Sequence, residues 1–103
     1  MSSFVVQEAA RNRLDSIFRY TLETWGKEQA SAYIHGLFEC FENIQSGKVY
    51  SRPIPAEFGV SGYYFRYGKH FVYWKRLQSG KIGIATVLHE RMHRIEKLKD
   101  EFQ

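Results

Sequence analysis

The stretch from Tyr63 to His89, YYFRYGKHFVYWKRLQSGKIGIATVLH, does most to limit what this chain can fold into. It divides into three runs, Tyr63 to Tyr67, His70 to Leu77 and Ile82 to His89. Gly68-Lys69 and the segment Gln78 to Lys81 separate them. Aromatic and β-branched residues fill the runs and glycine sits at each reversal, the pattern of an antiparallel meander of three strands. His70-Phe71-Val72-Tyr73-Trp74 is bulky at every position, so the middle run is expected to be a central strand with both faces covered.

Upstream, the apolar spacing changes from two to three and four. Phe4-Val5-Val6 suffices for one short strand. Ala10, Leu14, Ile17, Phe18, Thr21, Leu22 and Trp25 then trace one side of a helix over Gln7 to Trp25, stopped by Gly26. Ala30, Tyr33, Ile34, Leu37, Phe38, Phe41 and Ile44 mark a second helix, from about Lys27 to Ser46, with Gly47 after it. So short a connection predicts an antiparallel helical hairpin. Residues 47–61, with Pro53 and Pro55, are expected to be a linker without regular structure. After His89 the spacing of Met92, Ile95, Leu98 and Phe102 is helical again. The expected architecture is therefore an α+β domain spanning residues 1–103. It comprises an N-terminal strand at a sheet edge, a helical hairpin packed on a three-stranded antiparallel sheet, and a short C-terminal helix. That helix either lies on the sheet's open face or is offered to a partner.

Charge is unevenly placed along the 103 residues. Residues 1–47 hold four basic and six acidic side chains, a balance of −2. Residues 48–81 hold seven basic and one acidic, a balance of +6, and residues 82–103 hold four of each. A basic sheet predicts an acidic or polyanionic partner. The apolar runs are too short for a membrane helix, and no basic-then-apolar leader opens the chain, so a cytoplasmic location is expected. The single cysteine, Cys40, falls within a helical pattern, suits a reducing compartment, and is expected to be a small packed hydrophobe.

The order of elements and four short motifs resemble the RelE/ParE superfamily of toxins from type II toxin–antitoxin pairs, most closely its ParE branch. Leu14-Asp15-Ser16-Ile17 through Tyr20-Thr21, and Trp25-Gly26-Lys27-Glu28-Gln29-Ala30 through Tyr33, are similar to that branch's first helix and hairpin turn. Gly68-Lys69-His70 with the aromatic strand after it resembles a third motif, and Leu88-His89-Glu90-Arg91-Met92 a fourth. The chain departs from the pattern at His93, where an acidic residue is common.

The resemblance implies a bacterial growth-arrest toxin without a catalytic centre or cofactor, acting as a DNA gyrase inhibitor that blocks replication. It also implies silencing by a cognate ParD-like antitoxin with an acidic, partly disordered segment. Membrane binding and sequence-specific nucleic-acid binding are not expected. The expected surface for target or antitoxin is Arg66, Tyr67, Lys69, Trp74, Lys75, Arg76, Arg91 and Arg94. The alternative is a RelE-like ribosome-dependent mRNA endonuclease. It would need a general acid, a general base and cations, and His89, His93, Arg91, Arg66 and Lys69 are the residues available. Each histidine is equally accounted for as a strand-end residue with a satisfied ring. His89-Glu90-Arg91-Met92-His93 matches the bare H-E-x-x-H string. A zinc hydrolase, however, sets that string on a helix with a third ligand, whereas His89 is expected to end a strand, so no metal site is expected.

Overall fold

The computed structural model describes residues 4–92 and 94–102. Strand β1 (Phe4–Val6) leads into helix α1 (Glu8–Trp25) and helix α2 (Lys27–Ser46). Strand β2 (Arg52–Pro53) and a 3-10 turn (Ala56–Phe58) follow. The meander comes next, β3 (Tyr63–Tyr67), β4 (His70–Arg76) and β5 (Ile82–His89), then helix α3 (Arg94–Glu101). The helix boundaries agree with the apolar spacing. Gly26 alone separates α1 from α2, at φ 97°, a backbone conformation that side-chain-bearing residues rarely adopt.

The sheet corrects the expected architecture. It has five strands in the order β1-β5-β4-β3-β2, one more than the three-stranded meander with its N-terminal edge strand. The N-terminal strand joins an edge as expected, running parallel to β5 with Phe4 opposite Ile82 and Val6 opposite Ile84. The linker is not irregular throughout, because Arg52 and Pro53 pair antiparallel with Tyr64 and Tyr63. Proline is tolerated there because an outermost strand has one side free of ladder bonds. Between the Tyr73–Thr86 and Trp74–Ile84 pairs, Ala85 is an extra residue in β5, a β-bulge. The bulge shifts the alternation, so that Ile82, Ile84 and Val87 all join the core beneath the helices.

Two cores result, one on each face. Leu14 of α1 and Leu37, Cys40, Phe41 and Ile44 of α2 pack on Val72, Trp74, Ile84 and Val87. Burial pushes the Cys40 thiol up to about 11, in keeping with a packed, unreactive side chain. The opposite face is not open. Leu98 of α3, Ile54 of the linker, Tyr73 and Leu88 form its buried centre, with Phe58, Val60, Met92 and Phe102 packed around it.

Helix α3 is also fastened by polar contacts. Buried hydroxyls need partners, and Thr86 Oγ1 donates to Glu101 Oε1 at 2.8 Å. Arg13 Nε, reaching over from α1, donates to the same carboxylate at 3.0 Å, and the Arg13 guanidinium closes an ion pair with it. Burial disfavours the charged Glu101, but the hydrogen bonds from Arg13 and Thr86 outweigh it and hold the carboxyl below its usual range.

Candidate functional site

At the end of the sheet that carries the Gly68 turn, the helical hairpin overhangs the strands and leaves a groove of about 610 Å³. Ile17 and Tyr20 of α1, Trp25 and Gln29 at the hairpin tip, and Tyr33 of α2 make one wall. Lys69, His70, Val87, His89 and Arg91 make the other. Tyr20 and Trp25 are 66% and 64% exposed, large rings with little of the molecule over them. No carboxylate is among the residues lining the groove.

The floor is built by close approaches. Gly68 has φ 56°, and a Cβ on it would stand 2.7 Å from the Tyr33 hydroxyl, so glycine is required by both backbone and space. Tyr33 Oη lies 2.7 Å from His70 Nδ1 and 3.3 Å from the Tyr67 carbonyl oxygen. Both contacts are used together when His70 Nδ1–H donates to the hydroxyl and the hydroxyl donates to the carbonyl. His89 stands edge-on to His70, ring centroids 5.1 Å apart, and its Nδ1 accepts the Arg91 backbone N–H at 3.0 Å. Burial first, and then the neighbouring His89, lower the His70 pKa to about 4. The His70 imidazole is therefore neutral at pH 7. Burial raises the Tyr33 pKa, so its hydroxyl keeps its proton.

The expected surface residues separate into groups. Lys69 and Arg91 stand together on the groove wall with His89. Arg66 is ion-paired with Glu90, and its guanidinium lies 5.5 Å from the Phe71 ring. Arg94 lies 4.1 Å from that same ring, so Phe71 has two guanidiniums near it. Tyr67 is half-buried, its hydroxyl in a slot over Gly36 where a Cβ would approach to 1.8 Å. Lys75 points across the other face to Phe102, 5.6 Å from its ring. Arg76 belongs to the far end of the sheet, over Trp74.

Trp74 requires a correction, because it is a core ring and only 5% exposed. Its place in β4 turns it under the helices with Val72, and its indole N–H donates to Ser51 Oγ at 3.0 Å. His93 lies outside the described residues. The groove's most exposed rings, Tyr20 and Trp25, were not among the expected surface residues. Trp25 completes the apolar spacing of α1 and so looks like core. The available signal was Gly26 directly after it, since a helix's last residue at a one-residue turn has no sheet beneath it.

Comparison with known proteins shows which family carries this fold and groove. Residues 4–94 match the family model for the ParE toxin of the type II toxin–antitoxin system parDE, and the chain belongs to that family. Toxin ParE1 of Mycobacterium tuberculosis is 26% identical over 95 residues, covering 88% of this chain and 92% of that protein. In fold the chain is similar to a solved chain of a chromosomal ParDE toxin–antitoxin system from P. aeruginosa. The TM-score is 0.67 at 17% identity, over 86% of this chain and 96% of that one. No helix among the described residues is long and apolar enough to cross a membrane.

Proposed function

We propose that this ParE-family toxin is a non-catalytic inhibitor of DNA gyrase that blocks replication. In this reading a ParD-like antitoxin silences it by laying an acidic, partly disordered segment into the groove. The observation that carries the partner is the groove lining, where Tyr20, Trp25 and Tyr33 face Lys69 and Arg91 with no carboxylate between them. Aromatic anchors beside Lys69 and Arg91, which have no ion-pair partner among the described residues, suit a segment that alternates apolar side chains with carboxylates and orders on binding. The solved relative, described as a ParDE system, supports a partner of that kind.

The non-catalytic reading is supported by what the histidines already do. His70 is neutral and tied to Tyr33, and His89 accepts from the Arg91 amide. Each ring thus has a structural task, and His70 is a poor proton carrier at pH 7. One observation favours a RelE-like ribonuclease, the pairing of two histidines beside Lys69 and Arg91.

A gyrase assay on plasmid DNA with ATP separates the two readings. Toxin should abolish supercoiling and release linear DNA on adding detergent, and the antitoxin should restore supercoiling. Toxin that arrests growth yet leaves gyrase untouched at micromolar concentration would overturn the proposal. Loss of ribosomal mRNA cleavage on changing Arg91 or His89 would then establish the nuclease.

A further inference from the structure

A second basic and aromatic cluster stands at the other end of the sheet, unconnected with the groove. Strand β4 separates the two, since His70 is at its groove end and Arg76 at its far end, six residue steps or roughly 20 Å away. At the far end Tyr63 is stacked on Trp74, with ring centroids 4.7 Å apart and planes 24° from parallel. The Arg76 guanidinium lies 5.6 Å from the Trp74 ring. Ser51 Oγ fixes the indole from the side, and the residue before it, Tyr50, is 78% exposed. Lys48 and Lys81 are exposed close by, because Gln45 Oε1 accepts the Ile82 N–H and draws the end of α2 against the start of β5. Within residues 43–81 the one acidic side chain is Glu57. It belongs to the 3-10 turn, which packs with α3 on the opposite face of the sheet.

We propose that this end of the sheet, centred on Tyr50, Tyr63 and Arg76 with Lys48 and Lys81, binds single-stranded nucleic acid without sequence preference. Trp74, itself buried, backs the Tyr63 ring, and Tyr50 and the accessible part of Tyr63 offer rings to unstacked bases. Every base has a face that stacks, which makes such recognition sequence-tolerant. Arg76, Lys48 and Lys81 supply the charge for the phosphates between them. A peptide rich in carboxylates and poor in apolar side chains would use the cations and leave the rings idle. Duplex DNA would offer phosphates while keeping its base faces covered. The inference does not depend on the gyrase reading, because it concerns a surface outside the groove and is tested without gyrase.

The test is fluorescence anisotropy of the full chain with a labelled 20-nucleotide single strand, the same sequence as blunt duplex, and base-free polyphosphate as competitor. The single strand should bind best, and raising the salt should weaken it. Tyr50→Ala removes an exposed ring outside the core and should weaken single-strand binding roughly fivefold or more. Arg76→Gln should lower the slope of log affinity against log salt by about 0.7. Arg91→Gln in the groove should leave single-strand binding unchanged. Equal or tighter binding of duplex would overturn the proposal. So would polyphosphate that competes as well as the single strand charge for charge, an unaltered Tyr50→Ala variant, or no binding at all.

Discussion

The two faces of the sheet are covered in different ways. One face lies under α1 and α2, two long helices whose apolar residues recur at regular steps and meet Val72, Ile84 and Val87 in one continuous core. The other is covered by short pieces, Ile54 and Phe58 from the linker, Met92, and Leu98 and Phe102 at the chain's end. The first face is held by repetition of apolar side chains along two helices. The second adds a polar fastening, Arg13 to Glu101 to Thr86, that ties α3 to α1 and β5. A patchwork cover of this kind is expected to open locally before the rest of the molecule unfolds.

The largest effects should come from cavities, and they should differ between the faces. Phe41→Ala removes a fully buried ring beneath the helices and should cost about 3–5 kcal/mol, read from urea unfolding. Leu98→Ala empties the centre of the patchwork face and should cost about 2–4 kcal/mol. Hydrogen exchange sharpens the contrast. In Leu98→Ala the amides of α3 should exchange well ahead of those in α2, whereas Phe41→Ala should speed both together. Equal protection of the two helices in Leu98→Ala would erase the distinction between the faces.

Glu101→Gln should cost less, about 1–2 kcal/mol, because it weakens a partly exposed pair and the hydrogen bonds around it. The native carboxyl titrates below its unfolded value, so its contribution is fully present above the unfolded pKa and is lost as pH falls through the folded one. The melting temperatures of wild type and Glu101→Gln should therefore converge in acid.

The sign for His70 comes from the unfolded state, which takes up a proton near pH 6.5 while the native ring resists until about 4. Stability should fall as pH drops through that window and level off below it. His70→Gln should flatten that part of the melting profile. The smallest effect on stability is expected at Trp25. Trp25→Ala should leave unfolding within about 0.5 kcal/mol of wild type. It should nevertheless weaken antitoxin binding by about 2 kcal/mol, as loss of an aromatic anchor does, in calorimetry.

The same contrast explains what the sequence disclosed. The helices were legible because Leu14, Leu37, Phe41 and Ile44 sit in long periodic runs, and the meander because Gly68 and Gly80 punctuate aromatic runs. The strand Arg52–Pro53 was not, since two residues beside a proline have no periodicity and depend on Tyr63 and Tyr64 for their pairing. The Ala85 bulge was equally hidden, being a property of how β5 meets β4. Strict alternation would put Thr86 on the side of Ile84. Instead Ile84 and Val87 share the core under the helices, and Thr86 is left to bond Glu101. At the site, Lys69 and Arg91 were legible as cations near the hairpin turn and the Leu88-to-Met92 motif. The face taken by Trp74 is not legible, because a strand with bulky residues at every position does not declare where each ring points. Tyr33 falls in the apolar stripe of α2, and nothing in that stripe reveals that its hydroxyl ends against His70.

The parallel pairing of β1 with β5 also has a consequence for synthesis on the ribosome. Phe4 finds its strand partner in Ile82, 78 residues later, and both long helices lie between them in the chain. Contacts so distant in sequence form late, after the intervening loop has been closed. Until Ile82 to His89 emerge, the first strand has no neighbour, Phe41 and Leu37 lack the Ile84 and Val87 part of the sheet they cover, and the His89 side of the groove does not exist. The amphipathic hairpin of α1 and α2 is thus made well before the strand that completes its core, and the assembled form waits for Ile82 to His89.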